Sequence, residues 1–298
     1  MAIACFTGRP LELALLLLLA TLWGASFTLI KVGVETLPPL TLIAGRTSIA
    51  ALTLLAVLRY RRVALPRDPA LWRQFLIQAC LNSVFPFTLI AWAEQTVDAG
   101  LATILNSTSP IFTFILTWTI AGRQHATGRK LFGVVAGMIG ICLIVGVGAL
   151  AGINRQLIPE LAIVVATMCY AGAALFGRNF ERLDPMLPAV GSMLAGAIVL
   201  IPASLLVDLP WTLSPSSRSM GALLALAVFS SALAFTIYFR LLRTLGPVGT
   251  TTQAYLRVPI GMAIGVMFLG ESLAPTTWIG SIFVVAGVAA MTLPGKKR

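Results

Sequence analysis

Residues 11–30 read LELALLLLLATLWGASFTLI, twenty positions with a single charge, Glu12. A run of that length crosses a bilayer as a helix. It is too long for the apolar stretch of a secretory signal and lacks a clear small-x-small cleavage site, so it reads as a first span. The rest of the chain repeats the pattern. Of its 298 residues, 58% are hydrophobic and 10% charged, and mean hydropathy is +0.95. Soluble domains carry about 25% charged residues, and no soluble fold hides this much apolar surface. The class predicted is an all-α membrane protein.

Oily runs between charged or Pro/Gly breaks predict ten transmembrane helices, at 11–31, 37–58, 71–93, 99–121, 130–150, 157–178, 187–206, 219–240, 248–270 and 276–294. Only 59–70 and 207–218 are long connections, so no separate soluble domain is expected. The formal charge is +11, but the basic residues form short clusters between oily runs, as loops facing an anionic leaflet do. That distribution argues for the lipid bilayer as partner and against nucleic acid. Sixteen of the 21 lysines and arginines fall on one side, from Arg59, Arg61 and Arg62 to Lys296, Lys297 and Arg298. Lys31, Arg155 and Arg218 fall on the other, and Arg46 and Arg257 lie inside spans. Both termini are therefore expected in the cytoplasm, with the chain in the cell inner membrane. Cys5, Cys80, Cys142 and Cys169 are scattered like small hydrophobes. With His125 the only histidine, no metal site or cofactor is expected.

The chain also repeats itself. FTLIAWAEQT at 87–96 matches FTIYFRLLRT at 235–244, and the spacing of Gly133 to Gly140 recurs as Gly280 to Gly287. Trp23 and Lys31 fall opposite Tyr170 and Arg178, Pro38 opposite Pro185, and Pro110 opposite Pro259. Two units follow, 1–150 and 151–298, with five spans each. An odd number of spans turns the second unit over, so the repeats are inverted. Inverted repeats with proline-interrupted helices near the midplane mark secondary transporters.

TLWGASFTLIK at 21–31, followed by PPLTLIAGR at 38–46, resembles the start of an EamA domain of the drug/metabolite transporter superfamily, and Pro259 with FLGE at 268–271 resembles its end. The resemblance covers essentially the whole chain as two EamA repeats. It implies a ten-helix exporter of the YddG type with a central cavity, and an Arg46 typical of the family's second helix. The first half departs from the pattern, reading TIAGRQ at 119–124 where a Gly-Glu pair is usual.

Candidate substrate-binding residues follow from depth. Arg257 stands about nine residues, roughly 14 Å, into its span, and Arg46 at similar depth from the other end. Such arginines cost on the order of 2.5–3.5 kcal/mol to insert and face protein or a wet cavity. Arg257 has no acid at comparable depth and could clasp a carboxylate. Arg46 reads equally well as a substrate contact or as a tie to backbone carbonyls between packed helices. Thr103, Asn106, Pro110, Thr113 and Thr117 share one helix face, while Gln78 and Asn82 line up on the third span; such residues also bind helices together in membranes. Trp23, Tyr170, Tyr238 and Tyr255 complete the candidates, although Tyr255 and Arg257 are 200° apart on an ideal helix. Pro110 and Pro259 are candidate hinges. Trp72, Trp211 and Trp278 read as interfacial anchors, and Gly133/Gly137 and Gly261/Gly265 as close helix contacts.

The function these features predict is alternating-access export of amino acids or related small metabolites, in a range that includes aromatic amino acids. The alternatives are a multidrug or cation exporter of the same superfamily and a non-transporting membrane scaffold. A cation exporter would want a buried acid where this chain has two bases. An enzyme is not expected, because no clustered acids, His or Ser–His pair lies at membrane depth. Glu12, Glu94, Asp98, Glu160 and Glu271 all lie near span ends, so no proton relay is visible and facilitated efflux is expected. Nothing in the sequence requires more than one copy of the chain.

Overall fold

The computed structural model describes residues 9–97, 99–121, 127–150, 157–260 and 275–292. Cys5, Asp98, Arg123, His125, Arg155, Gly261, Gly265, FLGE at 268–271 and the basic C-terminal cluster lie outside the described residues. The described chain is all helical: α1 (Arg9–Gly33), α2 (Pro39–Tyr60), α3 (Pro69–Ala93), α4 (Ala99–Asn106), α5 (Ser109–Ala121), α6 (Gly128–Leu150), α7 (Leu157–Phe176), α8 (Met186–Val207), α9 (217–245), α10 (247–260) and α11 (Pro275–Thr292). Among these residues the chain has seven helices long and apolar enough to cross a membrane. Hydrocarbon offers no hydrogen bonds to backbone, so spanning segments must satisfy their own. Leu17, Ile198, Leu206, Phe229 and Ile282 stand exposed on the outer face, where lipid rather than water suits them.

Local chemistry sets the ends. Pro39 and Pro69 open α2 and α3, where a missing N–H costs nothing. Asp68 caps α3 by accepting from the Ala70 N–H at 2.9 Å. The start of α2 is capped in trans: Asp208, just past α8, accepts from the Thr41 N–H at 2.6 Å and its hydroxyl at 2.9 Å. A carboxylate there also meets the positive end of the helix dipole. Leu245 and Pro247 are joined by Gly246 at φ 72, ψ 176, a conformation cheap only for glycine. Pro247 then opens α10, so the expected boundary at 240 moves to 245.

The expected span 99–121 is interrupted at Ser107–Thr108. Pro110 has no N–H to return to the Asn106 carbonyl, and its ring crowds that oxygen. Ser107 bridges the break to α10 by donating to the Ala254 carbonyl at 3.0 Å. Two further irregularities are π turns, Cys80–Val84 within α3 and Val228–Leu233 within α9. Well under 1% of residues adopt this form, yet here it occurs twice, and the two starts are 148 positions apart.

α6 and α11 pack antiparallel on glycine. A Cβ on Gly140 would stand 2.6 Å from the Gly280 oxygen, and one on Gly287 2.6 Å from the Gly133 oxygen. Small residues of this kind let membrane helices approach backbone to backbone. Gly137 is filled differently, by the ring of Tyr255 from α10.

Candidate substrate cavity

Between α1, α2, α3, α4, α5, α7, α9 and α10 lies a cavity in which the centres of water-sized molecules can occupy about 40 Å³. That is room for a few water molecules.

Its polar wall is built on two arginines. Arg46, 1% exposed, donates through Nε to Ser231 Oγ at 2.7 Å and through Nη2 to the Ser230 carbonyl at 3.2 Å. Its Cζ sits 3.8 Å from the centre of the Phe87 ring, a cation–π contact. Arg257, 6% exposed, donates through Nε to Gln253 Oε1 at 2.8 Å and through Nη1 to Asn106 Oδ1 at 2.6 Å. Trp23 and Phe27 flank it, with ring centres 5.5 and 5.6 Å from its Cζ. Asn82 also lines the cavity; Ser83 donates to its Oδ1 at 2.9 Å, while Nδ2 is buried without a partner. The apolar wall is aromatic. Trp23 packs on Phe235 and Tyr238, each with ring centres 5.5 Å away, and Tyr170 meets Phe87 at 6.4 Å.

Seven of the sequence candidates therefore meet around one space: Arg46, Arg257, Asn82, Asn106, Trp23, Tyr170 and Tyr238. Three lie elsewhere. Gln78 donates to the Ala173 carbonyl at 3.3 Å and ties α3 to α7. Thr103 returns its hydroxyl to Ala99 in its own helix. Tyr255 lies against Gly137 and donates to the Val134 carbonyl at 3.1 Å, the outcome required by its angular separation from Arg257. Thr113 and Thr117 likewise bond back to their own helix, through the carbonyls four residues earlier. Pro110 and Pro259 sit within helical segments, two residues beyond that break and one before the end of the described α10.

Sequence reading passed over Ser230 and Ser231. The wide turn at 228–233 presents the Ser230 carbonyl to both Arg46 and Trp23 Nε1, the latter at 3.0 Å. The signal was available: a serine pair in an oily helix, 148 positions after Asn82–Ser83.

One turn past the cavity residue Ile90 stands Glu94, fully buried, with neither carboxylate oxygen hydrogen-bonded among the described residues. Beside it Lys31 donates to the Glu94 and Val97 carbonyls at 2.7 and 3.1 Å, closing the end of α3. Burial pushes the Glu94 carboxyl up to about 9, against the pull of Lys31 and Arg46. The folded chain thus holds this proton more tightly than the unfolded one. Its stabilisation is complete below about pH 4.3 and is lost as pH climbs through about 9. Thermal unfolding in detergent is expected to show a midpoint that falls across this range, and Glu94→Gln to lack that component. An identical fall in both proteins would refute the assignment.

Polar space enclosed by bilayer-length helices puts the molecule among multi-pass membrane proteins. Comparison with known sequences goes a step further: the EamA-like transporter family model matches residues 11–146 and again 157–293, and the chain belongs to that family. It is 29% identical over 274 residues to the uncharacterized inner membrane transporter YedA of Escherichia coli (strain K12), covering 91% of this chain and 87% of YedA. It is 23% identical to the transporter YoaV of Bacillus subtilis (strain 168), over 93% and 95% of the two chains. A probable terminal-alkyne amino-acid exporter of Streptantibioticus cattleyicolor is 24% identical over 92% and 90%. A solved structure described only as the crystal structure of a protein shares the fold, with a TM-score of 0.71 over 96% and 98% and 18% identity. The chain is accordingly a membrane transporter by family.

Proposed function

We propose that the protein exports amino acids or related small metabolites across the cell inner membrane by alternating access. In this reading ten helices form two inverted five-helix halves, 1–150 and 151–298, with both termini in the cytoplasm. Several features support this arrangement. The two π turns fall 148 residues apart, the same offset that relates FTLIAWAEQT to FTIYFRLLRT. The contacts of Gly133 with Gly287 and Gly140 with Gly280 exchange repeat mates, as a two-fold axis between opposed halves requires. The lysine and arginine bias supports the orientation.

The observation that carries the function is the meeting of Arg46 and Arg257 in one aromatic-walled cavity. In this reading both, with Asn82, Asn106, Trp23, Tyr170 and Tyr238, contact substrate. Gln78, Thr103 and Tyr255 hold helices in place, and Pro110 and Pro259 let their helices bend as access alternates. The Streptantibioticus relative supports an amino-acid-like cargo. The cation-exporter alternative wants a lining acid, and the described lining has none. Counterflow in proteoliposomes with a panel of amino acids and metabolites tests the proposal. Exchange is expected with at least one compound, and Arg257→Ala should slow it at least ten-fold. No exchange with any compound would favour the scaffold, and unchanged rates in the variant would remove Arg257 from the site.

A further inference from the structure

The charge of the described cavity lining is one-sided. A guanidinium has five N–H groups, and Arg46 and Arg257 each commit only two of their three nitrogens to protein acceptors. Asn82 Nδ2 is a further donor, buried and unpartnered. Each lining amide oxygen already accepts one bond: Asn82 Oδ1 from Ser83, and Asn106 Oδ1 and Gln253 Oε1 from Arg257. No described lining residue is a carboxylate. Buried donors without acceptors are costly, and two guanidinium charges in a buried space attract an anion and repel a cation. An ammonium entering here would find no opposite charge among the described lining residues, whereas a carboxylate would satisfy several donors at once. The rings of Trp23, Phe87, Phe235 and Tyr238 offer a planar group faces and edges to pack on.

We propose that the substrate is an organic anion bearing an aromatic or other planar apolar group and no ammonium, such as an aryl carboxylate or an aromatic 2-oxo acid. This rests on the transport reading above and narrows it. Within "amino acids or related metabolites", it selects acids whose amino group is absent or masked. Three probes of one skeleton separate the cases: phenylpyruvate (anion), phenylalanine (zwitterion) and phenethylamine (cation), titrated calorimetrically into the full-length protein in nanodiscs. Phenylpyruvate is expected to bind at least ten-fold more tightly than phenylalanine, and phenethylamine to give no heat. Arg257→Gln should weaken phenylpyruvate at least ten-fold. Asn82→Asp, nearly isosteric and so a guard against misfolding, should reverse the order and favour phenylalanine. Phenylalanine binding as tightly as phenylpyruvate would overturn the inference and leave amino-acid export standing. So would exchange of other amino acids in counterflow while none of the three probes binds. Phenethylamine binding best, or no exchange with any compound, would bring down the inference and the export reading together.

Discussion

Gly140→Val is expected to yield little or no monodisperse protein, the largest loss of any single substitution considered. The reason is that the obstruction is backbone. A Cβ at Gly140 would lie 2.6 Å from the Gly280 oxygen and 2.7 Å from the Val284 nitrogen. No rotamer change relieves that clash, so α6 and α11 must move apart. Overpacking where side chains can yield costs about 1–3 kcal/mol; here the whole glycine seam opens, against a total stability on the order of 5–15 kcal/mol. Gly287→Val should behave alike, since its Cβ meets the Gly133 oxygen and the Gly137 nitrogen. Gly221 supplies the control: it lies in α9 with nothing within 4 Å of an added methyl, and Gly221→Ala should be neutral or slightly stabilising. Size-exclusion profiles and unfolding midpoints read the difference. Equal midpoints for Gly140→Val and Gly221→Ala would mean the helices do not meet on glycine.

The second large effect is at Arg46. Lysine there keeps the charge but loses the Nε bond to Ser231 and the flat stack on Phe87. Removing a hydrogen bond to a buried charged group costs about 1.5–3 kcal/mol, so Arg46→Lys should lower the unfolding midpoint clearly and Arg46→Ala more so. Ser231→Ala leaves the Nε donor buried without its acceptor and should cost about 1–3 kcal/mol. Because both changes delete one bond, the double variant Arg46→Lys/Ser231→Ala should cost less than the sum of the singles. Strict additivity would show that this bond contributes nothing, leaving the Ser230 carbonyl and the Phe87 ring to hold Arg46.

Much of the helical layout was legible because lipid leaves so few choices. Long apolar runs must be helices, and Pro39, Pro69 and Pro247 mark starts that proline favours. Interruptions were harder. Pro110 was visible as a hinge, but the break falls at Ser107–Thr108, because what proline disrupts is the carbonyl four residues before it. The π turns left only a faint trace, since CLNSV and VFSSAL have no composition that ordinary helix lacks. In the cavity, depth alone singled out Arg46 and Arg257, and angular arithmetic separated Arg257 from Tyr255. Thr103 and Gln78 went astray because a polar side chain on an oily helix can turn to a neighbouring carbonyl as readily as to open space. Glu94 was noticed only as a residue near a span end. Its burial depends on how α1, α2 and α3 close over it, which no local pattern records.

The wide turn at Val228–Leu233 has a geometric corollary. It accommodates one residue more than an ordinary helical turn, and each residue advances the chain about 100° around its axis. Everything downstream on α9 is therefore phased a notch away from where a regular helix would leave it. Phe235 and Tyr238 face Trp23 by virtue of that single surplus position, so the aromatic wall owes its aim to a counting irregularity upstream as much as to the rings themselves.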